Sequence, residues 1–210
     1  MEECIKVTPA TMKRLPIYLR ILKHRINEEY ISSTTIAEKL GISSIQVRKD
    51  LSSISRVSGT SNKGFKIADL IECIEEFMCV KKTHMAVLVG AGKLGQALMH
   101  HSAFENNVQI MCAFDNDELK CDNEKIFHID LLCEKVSSEK VDIGVITTPR
   151  EDAQEVCNKL VESGVKAIWN FAPILLSVPE NIVVKNEDLS ASLLLLAKQL
   201  ENKEDLWKKI

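Results

Sequence analysis

The chain has 210 residues, of which 45% are apolar. That is enough for one large or two small packed domains, and no apolar run reaches the roughly eighteen residues a transmembrane helix needs. The formal net charge of −3 hides an asymmetry: residues 4–68 hold twelve Lys/Arg against four Asp/Glu, and residues 83–210 hold thirteen against twenty. A polyanionic partner is therefore expected for the N-terminal part alone.

In chain order, Thr8-Pro9 reads as an N-cap followed by proline at the first helical position. Apolar residues recur at Met12, Leu15, Leu19, Leu22 and Ile26, a helical stripe. Pro16 inside it predicts a late helix start or a kink. The stretch from Ile31 to Leu51 has the spacing of a helix-turn-helix. A short helix from about Thr34 to Leu40 is capped by Ser33, Gly41 supplies a left-handed turn residue, and Ser43 caps a second helix running to about Ser53. Ile36, Leu40, Val47 and Leu51 are expected inward, and Ser44, Gln46, Arg48 and Lys49 outward. Amides, hydroxyls and guanidinium groups near a helix start are what base reading in a major groove requires. An ordinary helical hairpin with a charged face fits the same pattern. The following Gly/Ser-rich stretch, Ser55 to Phe65, reads as the wing of a winged helix or as a plain loop, and Arg56 and Lys63 could follow a phosphate backbone. Ile67 to Val80 looks like a linking helix, and residues 81–84 are a polar joint.

The apolar run Met85 to Val89 is followed by Gly90-Ala91-Gly92-Lys93-Leu94-Gly95, a helical pattern, and a second apolar run from Val108 to Phe114 that ends at Asp115. This is the dinucleotide-binding fingerprint in its required strand–turn–helix–strand context. Gly90 permits the tight turn, Gly92 lets a pyrophosphate approach the backbone, and Gly95 lets the helix lie close to the strand. Free N–H groups at the helix start suit phosphates. Asp115 can accept from a ribose diol, and no Arg follows it to meet a 2′-phosphate, so NAD(H) is expected over NADP(H).

Beyond Asp115 the alternation continues: a strand at Lys125–His128, a brief helix at Asp130–Lys135, a buried strand at Val141–Ile146, a helix at Glu151–Glu162, and strands at Val165–Trp169 and Asn181–Lys185. An α/β domain with a doubly wound parallel sheet follows. Thr147, Thr148, Pro149, Asn170, Phe171 and Ala172 fall at the carboxyl ends of its strands, where they either line the nicotinamide half of a site or serve as turn residues. The last helix begins near Asp188 and carries Leu193 to Leu196 followed by Ala197, apolar on all sides. Burial between two subunits is expected. The seven cysteines form no C-x-x-C pair, which argues against a zinc ribbon or disulfide framework and for small apolar residues in a reducing compartment. The acidic Met1-Glu2-Glu3 start has no signal-peptide core, so a cytoplasmic protein is expected. The expected plan is a winged-helix DNA-binding domain over 1–80, a Rossmann domain over 81–187 and a dimerisation helix over 188–210.

Taken together, Ala10 to Arg20, Gln46 to Ser52, Val89 to Gly95, Ala113-Phe114-Asp115, Asn170 to Pro173 and Lys185 to Leu189 resemble, in that order, the signatures of the Rex family of redox-sensing transcriptional repressors. The resemblance implies a homodimer with exchanged C-terminal helices that binds palindromic double-stranded operator DNA and releases it when NADH accumulates. It also implies an interdomain relay at Arg14, His101 and Asp188, with His101 standing where the family carries Tyr. A regulator that binds coenzyme A or has lost its ligand remains an alternative. A dehydrogenase is a weaker one, because no substrate domain follows the nucleotide unit.

Overall fold

The computed structural model describes residues 7–54, 60, 63–78, 82–100, 107–122 and 124–202. The chain divides into two compact units, one reaching Lys81 and the other running from Lys82 to Leu200.

The first unit opens with α1 (Pro9–Lys23), capped by the Thr8 hydroxyl, which accepts from the Thr11 N–H at 3.2 Å. The helix runs unbroken through Pro16 and does not start late. Proline there removes one main-chain hydrogen bond, a loss set against the complete burial of Leu15, Tyr18 and Leu22 on the same helix. After β1 (Tyr30–Ile31) come α2 (Ser33–Leu40) and α3 (Ser44–Ser52). Ser32, one residue before the expected cap, holds α2 by accepting from Thr35 N–H at 3.0 Å; Ser33 is already helical. A serine in either place could cap, and the extended backbone at Ser32 decides between them. Gly41 takes the left-handed conformation, φ 65°, that ends α2, and Ser43 caps α3. Ile36, Val47 and Leu51 meet Leu15, Tyr18 and Leu22 in one core with Ile67, Leu70 and Ile74 of α4 (Ile67–Phe77).

A two-stranded antiparallel ribbon joins β1 to β2 (Phe65–Lys66), pairing Tyr30 with Lys66 and Ile31 with Phe65. Gly64, at φ 86°, lies against the Ile31 carbonyl so closely that a Cβ would stand 2.9 Å from its carbon. Glycine alone closes the ribbon there.

The second unit is a six-stranded, wholly parallel sheet. Its strands are β3 (His84–Val89), β4 (Val108–Asp115), β5 (Ile126–His128), β6 (Ile143–Ile146), β7 (Ala167–Asn170) and β8 (Val183–Asn186), in the order β5-β4-β3-β6-β7-β8. Alternation along β3 splits the core. Val87 and Val89 face Leu132 and Val136 of α6 (Leu132–Glu139) and Val156 and Leu160 of α7 (Arg150–Glu162), whereas Ala86 and Leu88 cluster with Leu98 and Met99. Leu98 and Met99 belong to α5 (Lys93–Met99). The expected helix at Asp130–Lys135 is in fact a 3₁₀ turn, Ile129–Leu131, leading into α6, which runs four residues further because Val136 must be buried. Buried Cys112 and Cys157 act as apolar core residues, their thiols pushed up by burial. No helix among the described residues is long and apolar enough to cross a membrane.

The last helix, α8 (Leu189–Asn202), is capped by Asp188, whose Oδ1 accepts from Ala191 N–H at 2.7 Å. Its leucines 189, 193, 194, 195, 196 and 200 are between 52% and 78% exposed within the single chain.

Candidate nucleotide site and nucleic-acid face

In the sheet, successive strands run outward from β3 to β5, and the chain then returns to the other side at β6. The crevice between the ends of β3 and β6 is where open parallel sheets take their ligands. Gly90 turns out of β3 at φ 104°, and a Cβ on it would stand 2.8 Å from the Thr147 carbonyl carbon. A Cβ on Gly95 would collide with the Gly90 carbonyl oxygen and reach 2.9 Å from Leu88 Cδ2, so α5 packs directly on its strand. A Cβ on Gly92 would meet nothing within 4 Å. That open space lies at the first turn of α5, which no side chain caps. Lys93 and Leu94 are exposed beside it, and Ala91 is buried beneath.

Asp115 ends β4 and is only 6% exposed. Its Oδ2 accepts from Ala91 N–H at 2.8 Å and its Oδ1 from Asp117 N–H at 3.0 Å, so the carboxylate ties the glycine turn to the neighbouring strand. Lys120 Nζ lies 3.1 Å from both oxygens. Sequence spacing alone does not mark this cation, which lies five residues beyond Asp115. Its placement depends on the 3₁₀ turn Glu118–Lys120, which brings the lysine back over the strand end.

Across the crevice, Thr147 Oγ1 donates to Gly90 O at 2.7 Å, which joins the ends of β6 and β3. Thr148 Oγ1 is buried and has no hydrogen-bond partner among the described residues. Pro149 opens α7. Asn170 departs from the sequence expectation. It is fully buried, its Nδ2 is held by Ile174 O at 2.8 Å and Asn186 Oδ1 at 2.9 Å, and its Oδ1 accepts from Ala172 N–H at 3.0 Å. Its amide builds the loop after β7 and does not face a ligand. Ala172 is buried with it, and Phe171 leans on Trp169 with ring centres 4.6 Å apart. A cavity of about 180 Å³ opens elsewhere, between β4, β5 and α6, but Lys135 lies over the Phe127 ring there, and none of the glycine-turn residues lines it.

In the helical unit, α3 presents Ile45, Arg48 and Lys49 to solvent, while Val47, Asp50 and Leu51 are buried. Ser44 is half-buried at the first turn. Gln46, expected to be outward, is half-buried too, and its Nε2 donates to Asp50 Oδ1 at 2.8 Å. The cause is Asp50, an acid on the inner face of α3. Asp50 is 1% exposed and also accepts from Arg14 Nε at 2.6 Å, Arg14 Nη2 at 2.8 Å, Thr11 Oγ1 at 2.9 Å and Tyr18 OH at 2.5 Å. Burial pushes its carboxyl up, but the hydrogen bonds from Arg14, Tyr18, Gln46 and Thr11 more than offset this and hold it at about 2. The same cluster raises Arg14, chiefly through its bond to Asp50, and raises Tyr18, chiefly through burial.

Arg14 is therefore engaged with α3, and Asp188 with its own helix cap; His101 and Arg56 lie outside the described residues. Lys63 is exposed with its ammonium 5.4 Å from the centre of the Tyr30 ring. Among the described residues, no three His, Cys, Asp or Glu could hold a metal ion.

A basic helix-turn-helix followed by a parallel sheet with a glycine turn at its switch point defines a DNA-binding regulator built around a nucleotide-binding fold. Residues 6–52 match the family model of putative DNA-binding protein N-termini, and residues 81–174 match that of CoA binding domains. The redox-sensing transcriptional repressor Rex of Treponema denticola is 40% identical over 201 residues, covering 92% of this chain and 95% of its own. The Rex of Bacteroides thetaiotaomicron is 38% identical over 210 residues, covering 96% and 94%. Among solved structures, RSP in complex with β-NAD⁺ and operator DNA superposes with a TM-score of 0.86 at 31% identity, covering 97% of this chain and 96% of that one. RSP in complex with β-NADH gives 0.83 at 32% identity, covering 96% and 97%. The chain belongs to the Rex family of redox-sensing transcriptional repressors, which are regulators and not enzymes.

Proposed function

We propose that this protein binds palindromic double-stranded operator DNA in the cytoplasm as a homodimer, represses transcription there, and releases the DNA when NADH binds its Rossmann unit. The observation that carries the reading is the occurrence, in one chain, of a capped recognition helix and a glycine turn whose middle glycine opens onto free space beside a buried acid. The residues fit NAD(H). Gly90 to Gly95 would hold the pyrophosphate, Asp115 the adenosine ribose, and Thr147, Thr148, Pro149, Phe171 and Ala172 the nicotinamide half. The nicotinamide supplies the redox chemistry that distinguishes the two forms; the chain's own groups bind and orient it.

Ser44, Arg48, Lys49, Arg56 and Lys63 form the DNA-facing set, with Gln46 held at its flank. The leucines of α8 are covered by the second subunit. The switch runs through Arg14, His101 and Asp188. Within the helical unit Arg14 is paired with Asp50 through Nε and Nη2, so a change of its contacts on NADH binding would be felt at α3.

Equilibrium binding of operator DNA, titrated without ligand, with NAD⁺ and with NADH, tests the reading. NADH alone is expected to weaken binding about 5- to 150-fold, and Arg48→Ala to weaken it by about 1–3 kcal/mol without ligand. Equal affinity in all three conditions, with Arg48→Ala still weakened, would leave a DNA-binding protein without a nucleotide switch. A second reading has one observation in its favour. The nucleotide unit matches the CoA-binding family model, and Lys120 places a cation at the ribose end, where coenzyme A carries a 3′-phosphate. Coenzyme A belongs in the same titration.

A further inference from the structure

Residues 45, 48, 49 and 52 lie within about 100° of one another on an α-helix and make one stripe. On α3 this stripe is the outward one: Ile45 is 57% exposed, Arg48 and Lys49 are exposed beside it, and the opposite side is buried at Val47, Asp50 and Leu51. Gln46, the residue whose amide is best suited to adenine, is turned off the stripe toward Asp50. An aliphatic side chain therefore stands in the centre of a cationic face, one residue into the helix, where recognition helices meet base edges.

Ile45 is not part of the hydrophobic core. A β-branched apolar residue in the exposed first turn gains nothing for the helix, which would be better served by a polar or acidic one. We propose that Ile45 is a specificity-determining residue that reads thymine through its C5-methyl group, between the two cationic contacts of Arg48 and Lys49. The occupant follows from the chemistry of the major groove. Guanine, cytosine and adenine present only hydrogen-bond donors and acceptors there, and thymine alone adds an apolar group. A side chain that can neither donate nor accept has one base feature it can favour. It also disfavours cytosine, whose N4 amino group would lose water without gaining a partner. Arg48 and Lys49 on either side bring the phosphates and guanines of a polyanion against it. The inference rests on the reading of α3 as the recognition helix.

The test uses the full-length protein and the duplex of highest affinity selected from a random pool. Each thymine of that duplex is replaced in turn by uracil, which lacks only the methyl. For the wild type, one position per half-site is expected to lose about fourfold in affinity, the worth of one buried methyl group, or about fifteenfold when both half-sites are changed. Ile45→Ser is expected to bind the thymine duplex as weakly as the wild type binds the uracil duplex, and to show no difference between the two. Ile45→Thr, which keeps one methyl, should retain part of the effect. Because the wild-type scan needs no variant, the result stands even if a substitution disturbs folding. A selected duplex with no uracil-sensitive position, or an undiminished uracil effect in Ile45→Ser, overturns the assignment of Ile45 alone. Failure to enrich any sequence from the pool would instead overturn the operator-binding reading, and this assignment with it.

Discussion

Two carboxylates are buried among the described residues, Asp50 in the helical unit and Asp115 at the end of β4, and they are held in opposite ways. Asp50 receives five side-chain hydrogen bonds, and its charge partner Arg14 is itself only 14% exposed. Asp115 receives two backbone N–H groups and one lysine that is 38% exposed. The first acid is sealed by residues that are themselves packed, so it fixes the angle between α1 and α3 and cannot be offered to a ligand. The second is pre-oriented by the main chain but covered only by a flexible arm, so a diol can take that arm's place. Burial by itself does not distinguish a strut from a binding group; what covers the carboxylate does.

The contrast breaks hardest at Asp50. Asp50→Ala leaves Arg14 partly buried without its counter-charge and strips three other donors of their acceptor, so a loss of about 3–5 kcal/mol is expected in urea unfolding followed by circular dichroism. A loss below about 1 kcal/mol would mean that the cluster is not a strut. At the other site, Gly92→Val should leave stability unchanged, since its side chain enters open space. Calorimetry should show NADH binding weakened by more than about a hundredfold, near 3 kcal/mol. Wild-type affinity in that variant would place the nucleotide elsewhere. Gly95→Val is the matched control that should damage the fold, because its Cβ collides with the Gly90 carbonyl.

Acid probes the Asp50 cluster more gently. Asp50 lies at about 2 in the folded protein, below its ordinary value of 3.8, so its contribution is fully present above pH 4 and is lost as pH falls toward 2. The helical unit should lose about 2 kcal/mol across that window, and the Asp50→Asn variant should not show that component. The smallest effect is at Lys120. Lys120→Met frees Asp115 of its competitor, and a half-exposed ion pair is worth no more than about 1 kcal/mol, so NADH should bind up to about fivefold more tightly. Weaker binding in Lys120→Met would show that the lysine contacts the nucleotide and does not merely compete with it.

The glycine turn, the parallel sheet and the helix-turn-helix were all legible in the sequence, because each rests on local rules: φ at Gly90 and Gly41, strand alternation, and the serine cap at Ser43. Most of what was not legible depends on partners far apart in the chain. Asp50 reads as one more charge on a charged helix until α1 brings Thr11, Arg14 and Tyr18 over it from more than thirty residues away. Its hold on Gln46 then removes from the outer stripe a residue whose type suited it to base reading. The α1 stripe shifts as well: Thr11 and Tyr18 are buried toward Asp50 while Met12 is 42% exposed, and Ile26, 64% exposed, lies beyond the helix end at Lys23. Asn170 is legible as a strand-end residue, but its role as a loop brace depends on Asn186, brought alongside by the register of β7 and β8.

The exposed leucines of α8 carry a consequence for dosage. If a second copy covers them, the protein's stability acquires a term in its own concentration, and a dilute protomer is less folded than a concentrated one. Halving synthesis would then lower the number of competent repressors by more than half. Near the dissociation constant of the pair, the amount of protein would set the threshold at which a given NADH level opens the operator.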